Sequence, residues 1–250
     1  MDLRERKSSR INRHPWELVR ASFFSKKIAA LTNGESIEVL DLGSGDCWFA
    51  EQLLPQLPPD SCITCCDIHF TDEDLAATTS SGIFRTREIP LQQFDIIILL
   101  DVIEHIEFDE AFLEQQVLPR LHSQSSIVIS VPAHPSLFST HDSFLGHYRR
   151  YTRTDLLRVT RKQFVVSENG YLFTSLAFVR WFQSKRNKQS GSSELGIGSW
   201  TAGTLVTFLV ASALHLDAFV SRLLQIAKIR VPGLTVWTVC KVRSPRQSSQ

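Results

Sequence analysis

The sequence predicts an α/β, doubly wound, Rossmann-like domain, with a mostly parallel, seven-stranded sheet and helices on both faces. Two observations predict this fold. Apolar runs of strand length alternate with helical patterns, and the clearest run, Phe94–Leu100 (FDIIILL), is typical of a strand buried on both faces. An earlier apolar strand leads directly into Gly43-Ser44-Gly45, and Asp67 closes the next strand roughly 20 residues further on. Strands that alternate with helices imply right-handed crossovers and therefore a parallel sheet.

The elements around the glycines come first in the chain. Pro15 is suited to the first position of a helix, in which Trp16, Val19 and Phe23 recur at helical spacing. The prolines after residue 54 end the helix that follows the glycines. The predicted elements of this half are a helix at 15–27, a strand at 37–42, a helix at 48–54, a strand at 63–67, a short helix at 72–77 and a weaker strand at 82–89.

The second half continues the alternation. Thr152 is placed to cap a helix, and a stretch without regular pattern precedes it. The predicted elements after the strand at 94–100 are a helix at 108–121, a strand at 126–131, a helix at 153–162, a strand at 164–167, an amphipathic helix at 216–226 and a final sheet strand at 236–242.

This pattern divides the chain into five regions. We expect a basic and helical N-terminal extension at 1–35 and the nucleoside-binding core at 36–175. An apolar helical insertion or lid follows at 176–234, with a mobile loop of linker composition at 187–199. The final strand occupies 235–242, and a polar tail ends the chain at 243–250.

Composition narrows the function classes. With 43% hydrophobic and 21% charged residues, the 250-residue chain resembles an ordinary soluble globular protein, and its net charge of +1 gives no reason to expect a nucleic-acid partner. The N-terminus lacks the apolar region of a signal peptide, and an odd cysteine count without framework spacing suits a reducing compartment. We therefore expect a cytoplasmic protein. Cys62, Cys65 and Cys66 resemble half of a zinc site, but they lie in an apolar run without a second pair, so buried strand thiols are expected there.

The glycine-rich turn predicts a nucleoside ligand without phosphates. Two glycines permit a tight turn and a close approach of ligand to backbone, and Asp67 lies where such folds hold ribose hydroxyls. The third glycine of a dinucleotide site is missing, and Asp41 and Asp46 would repel a pyrophosphate. A nucleoside with a positive charge suits the turn better, and S-adenosylmethionine fits that description. Alternatively, Asp41 caps the turn and Asp67 is a solvated strand end.

Three ordered motifs carry a resemblance to a known family. VLDLGSGDCWFAEQL, CCDIHF and FDIIILLDVIEHIE are similar to the first, second and fourth-strand motifs of class I S-adenosylmethionine-dependent methyltransferases. The stretch VPAHPSLFSTHDSFLGHYRRYTRTDL resembles a bacterial group of these enzymes that is linked to glycan and lipid-glycan pathways. The resemblance covers roughly residues 15–175.

The resemblance implies roles for the residues of these motifs. Gly43 and Gly45, with Ser44 between them, would pack under the methionine and ribose portions, and Asp41 would approach the ammonium. Asp67 would take the ribose hydroxyls with Ile68 beside it, and Asp101 would line the methionine end or the acceptor pocket. The cofactor-binding residues expected on this basis are Asp41, Gly43, Ser44, Gly45, Asp67, Ile68 and Asp101.

Two groups of residues are candidates for the acceptor site. Glu104 and His105 follow Asp101 at a spacing that places all three on one face of a helical turn. A loop after the last parallel strand carries a second group, of which Arg149 and Arg150 would suit a phosphate or carboxylate. We expect the general base to be His141 or His147, with His105 in reserve, and the substrate-binding residues to be Glu104, Asp142, Tyr148, Arg149 and Arg150. Alternatively, these side chains only structure their loops. A metal held by His134, His141, Asp142 and His147 matches no familiar ligand spacing, so no metal is expected.

The C-terminal apolar segment allows several interpretations. No Asp, Glu, Lys or Arg occurs between Glu194 and Asp217, a stretch about long enough to span a bilayer at ~20 residues. It could equally be a buried helix or a lid over the acceptor pocket. Because the final strand is expected to return to the sheet, we expect no spanning helix. We expect instead a soluble enzyme with either an apolar acceptor or peripheral membrane contact through 195–230.

The expected function is methyl transfer from S-adenosylmethionine to a small-molecule, glycan or lipid-linked acceptor, with oxygen as the nucleophile. The oxygen acceptor rests on family analogy. Two alternatives stay open: a catalytically silent methyltransferase-like binding protein, and an NAD-dependent oxidoreductase, which the missing third glycine disfavours.

Overall fold

The computed structural model of the chain describes residues 13–187, 200, 202–227, 229 and 231–243. Seven strands form one sheet in the order β3-β2-β1-β4-β5-β7-β6. The strands are β1 (Glu38–Leu42), β2 (Cys62–Cys66), β3 (Ile83–Thr86), β4 (Phe94–Leu100), β5 (Leu121–Pro132), β6 (Phe164–Leu172) and β7 (Thr235–Val242). The helices are α1 (Pro15–Ala29), α2 (Trp48–Leu53), α3 (Asp72–Ala76), α4 (Asp109–Phe112), α5 (Thr140–Leu145), α6 (Arg153–Arg161), α7 (Thr174–Asn187) and α8 (Thr204–Ile226).

The sheet is parallel except at one strand. The first five strands pair in parallel, with Leu40 of β1 opposite Thr64 of β2 and Ile97 of β4. The last strand, β7, lies antiparallel between β5 and β6. Strand order reverses between β1 and β4, and an open parallel sheet binds ligands at the carboxyl ends of the strands beside such a reversal. The predicted doubly wound, Rossmann-like fold is therefore confirmed.

Helices cover both faces of the sheet because its central strands are apolar on both. Ile96 and Ile98 of β4 pack in one core cluster with α1, α2 and α8, whereas Ile97 and Leu99 pack in the other with the helical segment that begins at α4, and with α6. All four isoleucine and leucine side chains are at most 3% exposed. A continuous β-branched and leucine run is the pattern expected of a strand that is covered on both sides.

Several elements differ from the sequence expectation. The helix predicted at 108–121 consists of α4 followed by a π-helical turn at Leu113–Val117 and a 3₁₀ turn at Leu118–Arg120. The strand predicted at 164–167 extends to Leu172, because it pairs with β7 along its whole length despite its polar centre. The stretch expected to be irregular contains α5, and the two segments expected at 195–226 include one helix, α8. Residues 188–199 of the predicted mobile loop lie outside the described residues.

The N-terminal helix belongs to the core, although the sequence suggested an extension. Val19, Phe24 and Ile28 of α1 are fully buried against the sheet. Trp16 and Arg20, one helical turn apart, project from α1 toward the carboxyl ends of the strands. This helix therefore both completes one layer of the fold and forms a wall of the cavity described below.

The long apolar helix α8 lies against the protein along one side. Its segment Thr204–Gln225, of 22 residues with a mean hydropathy of 1.6, is long and apolar enough to cross a membrane by length and composition. Leu214, Ala218 and Ser221 are buried on the side that faces α1 and the sheet. The strand that follows, β7, is paired on both edges within the sheet, so both ends of α8 are tied to the same body.

Candidate active site

A cavity of about 410 Å³ opens at the carboxyl ends of β1, β2 and β4. This volume lies within the range of small-molecule sites, roughly 300–1,000 Å³. Its walls come from the glycine-rich turn, from α1, from the segment after β4 and from α5. The cavity therefore occupies the position at which a doubly wound fold binds its ligands.

The glycine-rich turn is held in a conformation that requires glycine. Gly43 and Gly45 have φ angles of 68° and 58°, in the left-handed region. The amide of Gly43 donates to the carbonyl of Cys66, at 2.8 Å. A Cβ atom at position 43 would lie 2.7 Å from Cγ2 of Val102, so the turn packs directly against the segment after β4. Gly43 exposes its backbone to the cavity, whereas Gly45 is buried and is not among the residues that line it.

Asp67 fixes the turn to the second strand. Its Oδ2 accepts from the amide of Gly45 and its Oδ1 from the amide of His69, both at 2.9 Å. Each carboxylate oxygen keeps a further lone pair that could accept from a ligand hydroxyl. Ile68 follows, and its side chain is 75% exposed at the edge of the cavity, where it offers an apolar surface to a flat ring.

Asp41 is a buried carboxyl group with a strongly altered acidity. It lines the cavity at the end of β1, and its Oδ2 has no hydrogen-bond partner among the described residues. Burial, with the neighbouring Cys47 and Asp67, raises its pKa to about 8. An unpaired buried carboxyl group is costly unless a partner arrives. A ligand with an ammonium group would supply that partner and favour the ionised form.

The segment after β4 brings Asp101 to the cavity in an ion pair that the sequence did not suggest. Arg20 Nη1 of α1 lies 2.5 Å from Asp101 Oδ2, and Ser130 Oγ lies 3.4 Å from Oδ1. The guanidinium of Arg20 also stacks over Trp16, with its carbon 5.6 Å from the ring centroid. Asp101 therefore lines the cavity, and α1 supplies its counter-charge.

Three predicted catalytic histidines line the same cavity. His141 lies on α5, and His105 and His147 have ring centroids 4.5 Å apart in an edge-to-face arrangement. Glu104 lies beside them, fully buried, and burial together with the nearby charge of Asp101 raises the pKa of its carboxyl group well above the ordinary value. Loops that are distant in sequence thus bring four candidate acceptor-site residues together.

The loop that carries His147 is built on a buried ion pair. Asp142 accepts from Nε and Nη2 of Arg150 at 2.8 and 3.0 Å, and from the backbone and hydroxyl of Ser139 at 2.9 and 3.0 Å. Its Oδ1 also lies 2.9 Å from Nδ1 of His147. The hydrogen bonds from His147 and Arg150 hold the pKa of Asp142 far below its ordinary value, against the effect of burial. Asp142 therefore orients His147, five residues away, and not the adjacent His141.

Four residues predicted to bind the acceptor have other contacts. Asp142 and Arg150 form the ion pair of the loop, and Arg149 donates to the carbonyl of Glu107 and to Asp109. Tyr148, which is 55% exposed, donates its amide to the carbonyl of Glu104. None of these four side chains is among the described residues that line the cavity. Carboxylates and carbonyl groups of the chain itself bind the guanidinium groups of Arg149 and Arg150.

Other predicted residues do not come together. His134 stacks on Tyr171 at 5.8 Å and bonds to the carbonyl of Gly233, so it is absent from the histidine cluster. Cys62, Cys65 and Cys66 lie in β2 and, in accordance with strand alternation, do not share one face. Cys65 instead lies beside Cys47, whose pKa the Cys65 thiol and Arg85 lower to about 7.

Trp200, at the start of the apolar segment for which a lid was one of the sequence interpretations, lines the cavity. Its ring lies 4.8 Å from that of His14. Its Nε1 donates to Thr207 Oγ1 of α8, at 2.6 Å. The sequence analysis did not single out Trp200 as a site residue.

Comparison with known proteins identifies the fold class and nothing finer. No protein-family model matches the sequence, and no curated protein is significantly similar to it. Solved methyltransferase structures do match the fold. Coclaurine N-methyltransferase superimposes with a TM-score of 0.55 at 11% identity, over 90% of this chain and 70% of its own. The plantazolicin methyltransferase BpumL gives 0.52 at 16% identity, over 92% and 85%. An S-adenosylmethionine-dependent methyltransferase from Mesorhizobium loti gives 0.53 at 15% identity, over 92% and 98%.

The fold of this chain is therefore the one seen in S-adenosylmethionine-dependent methyltransferases. At these identities the likeness concerns the fold alone.

Proposed function

We propose that the chain binds S-adenosylmethionine and transfers its methyl group to a small-molecule or lipid-linked acceptor, with oxygen as the nucleophile. One observation carries the proposal. Asp41 and Asp67 lie at the ends of adjacent strands on either side of a glycine turn, and Oδ2 of the Asp41 carboxyl group is buried without a hydrogen-bond partner among the described residues. The coclaurine and plantazolicin enzymes are bound to S-adenosylhomocysteine in their structures, which supports the same nucleoside here.

The residues fit this cofactor on chemical grounds. An ammonium beside Asp41 would pair its carboxylate, and ribose hydroxyls could donate to the remaining lone pairs of Asp67. Gly43, which has no side chain, lines the cavity in the turn between the two strand ends. When bound, the cofactor supplies an activated methyl group on a sulfonium, so the protein mainly supplies proximity and alignment.

The acceptor would occupy the end of the cavity that carries Glu104 and the three histidines. A hydroxyl nucleophile must lose a proton as it attacks, and His141 and His147 are placed to accept it. Because Asp142 binds Nδ1 of His147, the other ring nitrogen of His147 is the one available to the cavity. Trp200 and α1 contribute further walls of the same cavity, and these would exclude water from the place of transfer.

A comparison of partial ligands tests the cofactor assignment. In equilibrium dialysis, Asp67→Asn is expected to weaken both adenosine and S-adenosylhomocysteine at least about tenfold, because both contain the ribose. Asp41→Asn is expected to weaken S-adenosylhomocysteine alone, because adenosine has no ammonium. Equal loss of both ligands in the Asp41 variant would contradict the assignment of the ammonium to Asp41.

Transfer itself separates an enzyme from a silent binding protein. Labelled methyl groups from S-adenosylmethionine should enter a lipid or polar metabolite extract in the presence of the protein. Binding of the cofactor without transfer to any extract would favour the silent alternative.

We further propose that α8 contacts a membrane and thereby brings a lipid-linked acceptor to the cavity. Five apolar side chains that are 58–72% exposed recur along one side of the helix: Leu205, Phe208, Leu209, Leu216 and Phe219. This stripe lies opposite the buried side chains of the same helix, which is the arrangement of an interfacial helix. Trp200, bonded to α8 at Thr207, connects the start of the stripe to the cavity.

Co-sedimentation with vesicles of phosphatidylcholine and phosphatidylglycerol tests the membrane contact. The double variant Phe208→Asp/Leu209→Asp should lose binding that the wild type shows. Leu91→Asp, at an 89% exposed leucine outside the stripe, is the matched control and should keep it. If wild-type protein stays in the supernatant with vesicles of each lipid, the membrane contact is excluded.

A further inference from the structure

Glu104, His105 and His147 form a cluster whose composition differs from that of an ordinary polar loop. One ligand atom from each of the three residues can be chosen so that all three lie within 4.8 Å of one another. His105 and Glu104 follow β4, whereas His147 comes from the loop after α5, so the fold and not the local sequence brings them together. The backbone of the two segments is tied by the amide of Tyr148, which donates to the carbonyl of Glu104 at 2.8 Å.

Glu104 points to a missing positive partner. Its side chain is fully buried and lines the cavity, and neither Oε1 nor Oε2 has a hydrogen-bond partner within the part of the chain that the structure describes. Arg20, the nearest cation on α1, is occupied by Asp101. A protonated carboxyl group would still leave a buried donor and an acceptor unsatisfied, so protonation alone does not remove the cost.

His147 is oriented as a metal-binding histidine would be. Asp142 lies 2.9 Å from its Nδ1, and Arg150 keeps that carboxylate ionised and in place. A hydrogen bond of this kind to a carboxylate fixes the tautomer and leaves Nε2 with a lone pair for a cation. The rings of His105 and His147 approach each other edge to face, with 4.5 Å between their centroids.

From this geometry we propose that Glu104, His105 and His147 bind a divalent transition-metal ion, such as Zn²⁺ or Mn²⁺, in the acceptor end of the cavity. One carboxylate and two imidazoles suit such ions better than Mg²⁺ or Ca²⁺, which prefer oxygen ligands. Ligand atoms around one ion of this size lie about 3–4 Å apart, so side-chain rotations must shorten the present separations of up to 4.8 Å. The sequence analysis expected no metal, because the spacing of the four residues that it considered, His134, His141, Asp142 and His147, matches no familiar ligand pattern.

The role of the ion in catalysis rests on the proposed function, whereas its binding does not. Three protein ligands leave a coordination position open, as in sites where a metal activates an oxygen. An acceptor hydroxyl next to the ion would lose its proton more readily, with His141 as the proton acceptor. The oxygen would then form the new bond to the methyl carbon as the bond from carbon to sulfur breaks and sulfur keeps the electron pair.

Binding of Co²⁺, a coloured probe for such sites, tests the proposal on chelator-treated, tag-free protein. We expect wild type to bind one equivalent with a saturable visible absorption that Zn²⁺ displaces. Glu104→Gln and His105→Asn should each weaken binding at least tenfold. His122→Asn, at a surface histidine paired with Asp95, is the matched control and should bind as wild type does.

Two parallel measurements keep the result decisive. Urea unfolding must show that each variant is folded, and Glu104→Gln preserves the shape of the buried side chain. S-adenosylhomocysteine binding, measured with chelator present, is expected to be unchanged in both cluster variants. Absence of saturable Co²⁺ or Zn²⁺ binding by folded wild type would overturn the metal site, as would unchanged binding in both variants. Loss of S-adenosylhomocysteine binding in wild type, with Co²⁺ binding intact, would overturn the proposed function alone.

Discussion

Replacement of Asp41 by asparagine should change stability in a way that depends on pH. Burial and the neighbouring Cys47 and Asp67 raise the folded-state pKa of Asp41 from 3.8 to about 8. A group of this kind contributes stability below pH 4, where it is protonated in both states. That contribution is lost as pH rises toward 8, because the unfolded chain ionises while the folded chain does not.

The size of the effect follows from the pKa difference. Each pH unit between the two pKa values lowers the stability of the wild type by about 1.4 kcal/mol relative to a neutral side chain. The free energy of unfolding of Asp41→Asn minus that of the wild type should therefore rise by about 3 kcal/mol between pH 5 and pH 7. Urea unfolding at pH 5, 6 and 7 without ligand measures it. The same variant is expected to bind S-adenosylhomocysteine more weakly, so stability and binding change in opposite directions.

Asn is the appropriate replacement because it keeps the shape of the side chain and removes the titration. Asp72→Asn, at an exposed aspartate, is the matched control for the substitution itself. A difference between Asp41→Asn and wild type that does not change with pH would refute the reasoning. It would mean that Asp41 is already ionised in the folded protein without ligand.

Two further predictions concern the glycine-rich turn and the loop that carries His147. The Cβ of Gly43→Ala would lie 2.7 Å from Val102, whereas Gly34 also has a positive φ but open space around it. In paired urea unfolding, Gly43→Ala should therefore destabilise the protein by about 1–3 kcal/mol more than Gly34→Ala does. Equal effects of the two alanines would show that the turn yields freely. Arg150→Ala leaves Asp142 buried without its ion-pair partner and should cost about 3–5 kcal/mol in the same assay. Recovery of full stability in Arg150→Lys would contradict the requirement for the two-point contact of a guanidinium.

Local patterns in the sequence were sufficient to predict most of the sheet. The runs at β1, β2, β4 and β5 are mostly apolar and short, and such runs are typical of strands covered on both sides. The same reasoning predicted β6 too short, because its residues Ser167, Glu168 and Asn169 are polar. Pairing with β7 on one edge, together with a register shift at Val166/Glu168, accounts for the longer strand, and pairing is a tertiary property.

The end of the cavity formed by the glycine-rich turn could be predicted from the sequence for a related reason. Asp41, Gly43 and Asp67 lie at strand ends, and topology alone brings those ends together. The end of the cavity that carries Glu104 and the histidines was less predictable, because sheet topology does not fix the loops that form it. The same sequence is compatible with an arginine that binds a ligand and with the ion pair that Arg150 forms with Asp142. The sequence did not indicate a partner for Asp142 among its nearest neighbours. The folded loop places His147, five residues away, beside it.

Calorimetric titration of the wild type with S-adenosylmethionine and S-adenosylhomocysteine tests the central claim most directly, with Asp67→Ala and the exposed control Glu51→Ala beside it. We expect saturable binding of both nucleosides to wild type and Glu51→Ala. In Asp67→Ala binding should be weakened at least about tenfold, or 1.4 kcal/mol, since the side chain both meets the ribose and holds the turn. No binding by well-folded wild type, or saturable binding of NAD in its place, would contradict the account.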